Sequence, residues 1–494
     1  MSNTKQKKEL IKRPATFGEA VAAILGMAII IAVGYIGFGL RVEPLMICSA
    51  ILAAFLARRV GFKWSELEEG VCQKLIQATP AILIMWTIGM VIGTFMYSGS
   101  IPMVIYYGLM IINPQYLYVC AFVVCIILST VTGTSWGSAG TVGVAMMGVA
   151  AGLGVPLHIT AAAVVCGAIF GDKLSPLSET TNLAPLCAGT GLYKHIGSML
   201  WTTIPATVIS FFVFLIAGFN IQIESNELPE SAVNTMNVLN EMYDWNILML
   251  LPFAIILFCA FTKKPPVPTM VGASFAAIAI GAITQGFDLA SGVAASVNGF
   301  TVGMIYDNEV TSEVAGLLNR GGMKSMVGII IVIYCGYVYA AIISKAGFLE
   351  TALRPVIKRA NSRVSVVAAA LATDFVILCC AGSSYVAHIM VGEMYKKSFI
   401  KNGMDLRVLS RSMEDVGTMM APLIPWGASG AFYIATLGVP IFGAGGFAPW
   451  AFNTWMNPII AIILAATGIG MYKLSKEEQD EELAKLGPKR INYK

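Results

Sequence analysis

The chain alternates between long apolar runs and short polar breaks. Runs of roughly spanning length, about 20 residues for a ~30 Å hydrocarbon core, fall near 18–41, 44–60, 77–98, 157–189, 196–219, 246–262, 266–285, 326–346, 404–439 and 449–473. Each predicts a helix, because in lipid a helix satisfies its own backbone polar groups. Two further stretches, 115–153 and 363–396, are too long for one span and hold a small polar centre. The first centre is Thr132-Gly133-Thr134-Ser135-Trp136-Gly137-Ser138 and the second is Gly382-Ser383-Ser384. Arms of about 13–16 residues, roughly 20–24 Å as helix, are short for the hydrocarbon core. The pattern therefore predicts two re-entrant hairpins with tips near the midplane. Two complete crossings each is the alternative, and it leaves the sidedness of the other segments unchanged.

The pattern also repeats. Trp86-Thr87-Ile88-Gly89 followed by Ser98-Gly99 is similar to Tyr334-Cys335-Gly336 followed by Ala346-Gly347, about 247 positions on. Amphipathic pieces, 101–113 and 348–359, come next in both, then the hairpins. Ser175-Pro176-Leu177-Ser178 then matches Ala421-Pro422-Leu423-Ile424 at a displacement of about 246. Each half holds five spans plus a hairpin, and an odd number of crossings turns the second half over. The expected fold is an all-α polytopic membrane protein of two inverted repeats, the arrangement of secondary transporters with interrupted helices. Its parts are a cytoplasmic N-terminal tail 1–17, a first repeat 18–219, an extracytoplasmic linker 220–245, a second repeat 246–473 and a cytoplasmic C-terminal tail 474–494.

Composition agrees with a bilayer environment. Of 494 residues, 57% are hydrophobic and 12% charged, against about 25% charged in soluble proteins. The net charge of +4 is too small and too dispersed for a nucleic-acid partner. The ten cysteines form no Cys-x-x-Cys pair, so they read as small buried hydrophobes. The basic start, Lys5 to Arg13, precedes a run long enough to span and shows no cleavage pattern. With the N-terminus in the cytoplasm, Arg58, Arg59, Lys63, Lys74, Lys194, Lys263, Lys264, Arg354, Lys358, Arg359, Lys397, Lys401, Lys473, Lys476 and Lys485 all fall inside, as the positive-inside rule asks. The linker, with Glu224, Glu227, Glu230, Glu241 and Asp244, falls outside and has no Lys or Arg. Arg320 and Lys324, on an outer loop near 286–325, are the one weak point.

Chemistry concentrates in Gly171-Asp172-Lys173-Leu174-Ser175-Pro176-Leu177-Ser178-Glu179-Thr180-Thr181-Asn182. Charge inside a span is costly and by default functional. Pro176 lacks an N–H and breaks the helix near Leu174–Ser178, freeing carbonyls. Ser175, Ser178, Thr181 and Asn182 add side-chain oxygens, and Asp172 or Glu179 adds a carboxylate for Na⁺ or H⁺. Such oxygens suit a hard cation; Lys173 is placed to neutralise Asp172 when no cation is bound. Thr134 and Ser135 at the first tip complete the candidate set, with Asp172, Ser178 and Asn182 as the central Na⁺ ligands. The bland reading is a salt-bridged pair that only fixes helix packing. In the second half Asp374, Glu414 and Asp415, together with Asp172, are candidate proton carriers. For Glu414 the bland alternative is a surface pair with Arg411, three residues earlier. His388 alone reads as a buried packing residue. Trp136, Gly382, Ser383, Ser384 and Trp426 are candidates for contact with an organic solute. No phosphate-binding loop and no His-Glu-x-x-His occur, which points away from an ATP-driven pump and an enzyme. No cofactor is expected.

The two segments Thr132–Gly137 and Gly171–Asn182 together resemble the NhaC family of bacterial Na⁺/H⁺ antiporters, and the resemblance runs from about 18 to 473. It implies an ion-transporter scaffold domain, an elevator-like transport domain, a bacterial inner-membrane location and a homodimer. The same family holds malate/lactate exchangers and suspected amino-acid carriers. The expected function is thus Na⁺/H⁺ antiport. Exchange of a small carboxylate or amino acid coupled to Na⁺ or H⁺ stays open beside it.

Overall fold

The computed structural model describes residues 12–221, 230–262 and 264–485. Glu224, Glu227 and Lys263, which entered the charge reading, lie outside the described residues, as do the outer parts of both tails. Helices succeed one another from Phe17 to Lys485, and among the described residues the only bridge is Met404 with Lys473. Eight helices are long and apolar enough to cross a membrane: Phe17–Tyr35, Ala78–Tyr97, Pro114–Thr132, Leu157–Leu174, Leu192–Phe219, Pro266–Thr284, Met323–Lys345 and Arg363–Ala381; the bent pair Ala232–Met242 and Ile247–Ala260 raises this to nine.

Two groups of helices pack together. Val42–Val60, Trp64–Tyr97, Pro266–Thr284 and Val327–Lys345 form one. The other gathers Leu117–Thr132, Leu157–Leu174, Leu192–Phe219, Arg363–Ala381, Ser384–Lys401 and Phe452–Thr467. In lipid, helices associate through close packing of small residues rather than through hydrophobic drive. Leu117–Thr132 against Leu157–Leu174 shows this directly. A Cβ on Gly167 would lie 2.3 Å from the Phe122 carbonyl, and one on Gly171 would lie 2.1 Å from the Thr130 nitrogen. Ser129 Oγ donates to the Gly167 carbonyl at 3.1 Å. This tight seam fixes the end of Leu157–Leu174, which carries Asp172.

Both polar centres are turns between helices. Leu117–Thr132 stops at Gly133, φ 69°, and Arg363–Ala381 stops at Gly382, φ 62°; the left-handed conformation favours glycine. The arms are longer than the sequence pattern suggested. Arg363–Ala381 has 19 residues and Ser384–Lys401 has 18, about 27–28 Å each at 1.5 Å per residue. The returning arm gains length because 397–401, beyond the apolar stretch that ends at 396, stays helical.

Each turn touches the break of an interrupted helix in its own half. A Cβ on Gly133 would meet Leu177 Cβ at 2.6 Å and the Ser178 nitrogen at 3.0 Å. Ala428 N donates to the Gly382 carbonyl at 3.2 Å, and a Cβ on Gly382 would meet Gly427 Cα at 3.3 Å. Gly133 and Gly382 lie 249 positions apart, as do Leu177 and Trp426, and Gly189 and Gly438. Gly189 and Gly438 both end a second half-helix in the left-handed conformation. These equal separations of 249 differ by two or three residues from the 246–247 of the matches in the sequence.

The loop after Thr284 is folded rather than open. A short helix, Leu289–Asn298, packs on Trp64–Tyr97, and Gly322 N donates to the Gly89 carbonyl at 2.6 Å. Arg320, half-buried there, donates to the Gly316 carbonyl at 3.5 Å.

Candidate functional site

Leu157–Leu174 ends in an extended Ser175, and the chain resumes as Glu179–Ala188. Pro176 enforces that break. Asp172 sits one turn before it with both carboxylate oxygens engaged. Ser135 Oγ donates to Oδ2 at 2.6 Å, and Ser178 Oγ donates to Oδ1 at 2.6 Å. Ser135 comes from the first turn and Ser178 from the break, so the two segments converge on one carboxylate. The contact of Gly133 with Leu177 and Ser178 is what brings them together.

The other oxygens of this region serve the backbone. Thr181 Oγ1 lies 2.7 Å from the Asp172 carbonyl and 2.8 Å from the Lys173 carbonyl, and its one O–H is shared between them; the last carbonyls of a helix have no partner within it. Asn182 Nδ2 donates to the Pro176 carbonyl at 2.8 Å and the Ser178 carbonyl at 2.7 Å. Ser175 Oγ accepts from Leu177 N at 3.3 Å, and Thr134 Oγ1 accepts from Gly137 N at 3.2 Å. The freed carbonyls expected from the break are thus largely capped by side-chain donors. Glu179 turns away from Asp172 and accepts a hydrogen bond from Tyr385, on the far hairpin.

Lys173 does not neutralise Asp172. Its ammonium is fully buried, 2.6 Å from Asp415 Oδ1 and 2.7 Å from Asn457 Oδ1. Thr202 Oγ1 donates to the same Asp415 oxygen at 2.7 Å. The side chain points to the opposite face of the helix from Asp172, as neighbours in sequence do. Asn457 and Thr202 were not singled out in the sequence. Asn453 and Asn457, four apart on the apolar helix Phe452–Thr467, are the pattern that could have marked them.

Glu414 forms no surface pair. It is fully buried, while Arg411 turns to the Gly470 carbonyl at 2.9 Å and the Met471 sulfur at 3.3 Å. Asp374 is also fully buried and accepts from Gly417 N at 2.9 Å through Oδ2. His388 Nε2 stands 3.6 Å from Glu414 Oε1 and 3.3 Å from Thr418 Oγ1.

A cavity of about 1360 Å³ opens in front of Asp172. Thr134, Ser135, Trp136, Glu179 and Asn182 line it from the first half, and Gly382, Ser383, Ser384, Tyr385 and Thr418 from the second. Trp136 stacks on Phe432 with ring centroids 4.9 Å apart. Trp426 is not among the lining residues. Its indole donates to the Cys379 carbonyl at 2.6 Å and so pins the second turn instead of walling the cavity. Among the described lining residues the carboxylates are Asp172 and Glu179, and the cation is Lys264.

The model of the Na⁺/H⁺ antiporter family matches residues 9–184 and 167–469. An uncharacterised Na⁺/H⁺ antiporter of Haemophilus influenzae is 40% identical over 465 residues, covering 94% of this chain and 98% of that protein. The NhaC Na⁺/H⁺ antiporter of Alkalihalophilus pseudofirmus is 34% identical over 94% of this chain and 98% of its own length. A malate-2H⁺/Na⁺-lactate antiporter of Bacillus subtilis is 31% identical over 93% of this chain and 96% of its own length. Since the family model spans nearly the whole chain, this multi-pass helical chain belongs to the Na⁺/H⁺ antiporter family.

Proposed function

We propose that the protein is a secondary active transporter of the bacterial inner membrane that exchanges cytoplasmic Na⁺ for external H⁺. The observation that carries this reading is Asp172, whose two oxygens are each held by a serine hydroxyl at 2.6 Å beside a large cavity. A Na⁺ ion would be held by the Asp172 carboxylate with Ser135 and Ser178, whose hydroxyls would rotate to present lone pairs. Thr134 and Asn182 stand at the cavity edge to complete the shell, with Ser175, Thr181 and Glu179 around it. The proton exchanged for it is carried by a buried carboxylate of the same helix group.

The two halves are read as inverted repeats, with both termini in the cytoplasm and the recurrent turns as re-entrant tips. The helix group holding both breaks would move past the other as an elevator, in a homodimer. The matching glycine register supports the repeat, and the cluster of Lys and Arg between spans supports the orientation. Reconstituted proteoliposomes test the function: a pH gradient should drive ²²Na⁺ uptake, and Asp172→Asn should abolish it in folded protein. Absence of gradient-driven uptake by the wild type would reject the reading.

One observation favours a second reading, exchange of a small organic solute coupled to Na⁺ or H⁺. A cavity of about 1360 Å³ is far larger than a dehydrated cation, and a malate/lactate antiporter is among the relatives.

A further inference from the structure

Behind the cavity wall lies a second group of ionisable side chains that the Asp172 site does not use. Asp374, His388 and Glu414 are each fully buried. They meet around Gly417, where a Cβ would lie 2.5 Å from His388 Cε1 and 3.1 Å from Asp374 Oδ2. Four of their polar atoms have no hydrogen-bond partner among the described residues: Asp374 Oδ1, His388 Nδ1 and both oxygens of Glu414. A buried polar atom without a partner is costly, and an unpaired buried carboxylate far more so. Packing alone does not account for three such groups at one point.

Among the described residues no Lys or Arg is bonded to them; the nearest, Lys173, attracts Glu414 from a distance but is bonded to Asp415. Of the helices packed on this segment, Leu157–Leu174 brings Lys173, which is engaged with Asp415, and Asp172, which is held by Ser135 and Ser178. Glu179 is turned to Tyr385. On the same helix Arg411 is spent on Gly470 and Met471. Phe452–Thr467 contributes Asn457 and no titratable group. His195, on Leu192–Phe219, is paired through Nδ1 with Ser410 Oγ at 2.8 Å.

The cluster has one link to the cavity. Thr418 lines the cavity, and its hydroxyl lies 3.3 Å from His388 Nε2. We infer that His388, Glu414 and Asp374 form a proton-binding site separate from the Na⁺ site at Asp172, reached from the cavity through Thr418. A proton from cavity water is taken up by the Thr418 hydroxyl as that hydroxyl gives its own to His388 Nε2. The imidazolium then passes it to Glu414 Oε1, 3.6 Å away, and a carboxylate becomes a carboxylic acid. No electrons are exchanged, and the release of the proton is the reverse sequence. The coupling proton then resides on a group other than the one that holds Na⁺.

This rests on the Na⁺/H⁺ exchange reading. The test compares two reactions of the full chain in proteoliposomes: pH-gradient-driven ²²Na⁺ uptake, and ²²Na⁺/Na⁺ exchange with no gradient, which needs the cation site and the moving unit but no proton transfer. In His388→Gln, Glu414→Gln and Thr418→Val, gradient-driven uptake is expected to fall by roughly ten-fold or more, since each removes one group of the path from the cavity to Glu414. Sodium/sodium exchange should persist near the wild-type rate. Asp172→Asn should lose both. Wild-type gradient-driven uptake in His388→Gln and Thr418→Val overturns the inference. So does loss of both reactions in protein that is monodisperse by size exclusion, which makes the cluster structural. A wild type that performs no gradient-driven uptake removes the exchange reading itself, and this inference with it.

Discussion

The Lys173 ammonium lies 2.6 Å from Asp415 Oδ1, joining two helices that are each interrupted within a few residues of this pair. Lys173 precedes the break at Ser175–Ser178, and Asp415 precedes the one at Pro422–Gly427. The bond therefore holds the two breaks in one register. Neither side chain reaches solvent.

Removing one partner leaves a buried charge uncompensated, which costs about 3–5 kcal/mol. Lys173→Met and Asp415→Asn are each expected to lower the melting temperature in detergent strongly. The double variant should recover part of the loss, because no lone charge then remains. Thermal unfolding of the four proteins followed by tryptophan fluorescence reads this out. Equal losses that simply add in the double variant would show that the pair is not coupled.

Ser135→Ala and Ser178→Ala each remove one hydrogen bond to Asp172. Each also removes an oxygen proposed to face Na⁺, so the apparent Na⁺ affinity should fall roughly ten-fold or more in each, about 1.4 kcal/mol. Ser175→Ala is expected to change it little, since Ser175 Oγ accepts from Leu177 N and does not reach Asp172. Isothermal ²²Na⁺ binding to purified protein separates these cases. A loss in Ser175→Ala as large as in Ser178→Ala would redraw the site.

The site was partly legible for a physical reason. Pro176 must break a helix, and Asp172 beside it in an apolar run is costly; both are local facts. The partner of Lys173 was not legible, because Asp415 lies 242 positions away and spacing along a chain carries no contact information at that range. The same holds for Tyr385 and Glu179, which are 206 positions apart. The bond of Trp426 to the Cys379 carbonyl was not legible either, because an aromatic residue at a break can wall a cavity or seal a turn and spacing along the chain does not separate the two. In the sequence the returning arm of the second turn ends at 396, where Lys396 and Lys397 close the apolar pattern. They do not interrupt the helix.

Close packing beside the site gives a steric prediction. Gly171→Ala puts a methyl group 2.1 Å from the Thr130 nitrogen, a backbone atom that cannot swing aside. Overpacking of this kind typically costs about 1–3 kcal/mol. The variant should separate Asp172 from Ser135 and lose Na⁺ binding, whereas Gly197→Ala, with nothing within 4 Å, should keep it. Sodium binding that survives in Gly171→Ala would mean that the seam is not what positions the carboxylate.

Orientation is open to a labelling experiment in a cysteine-free background. Ser362, at an exposed helix start, should react with an impermeant thiol reagent only from the cytoplasm when replaced by cysteine. Glu309→Cys, on the exposed loop that carries the exceptional Arg320 and Lys324, should react only from outside. The folding of that loop against Gly89 and Gly93 gives its basic residues a structural setting. Reaction of both cysteines from one side would mean that Met323–Lys345 does not cross the membrane and would overturn the orientation of the second half.

The choice between a bare cation and an organic solute turns on the charge of the cavity. A carboxylate solute needs a cationic clamp, for which arginine is suited by its paired N–H groups. Among the described lining residues there is no arginine, and Lys264 is set against Asp172 and Glu179. Tyr385 is already committed to Glu179. Ser383 and Ser384 line the cavity but bring no charge. A dicarboxylate entering this space would meet two acidic groups and lose hydration without a counter-charge. Malate and lactate at millimolar level are therefore expected to leave pH-gradient-driven ²²Na⁺ uptake unchanged, and neither should be taken up in a saturable, Na⁺-dependent way. Uptake of either acid, lost on Lys264→Gln and retained in Trp426→Phe, would show instead that the cavity carries an organic anion and that the cation at Asp172 serves as its coupling ion.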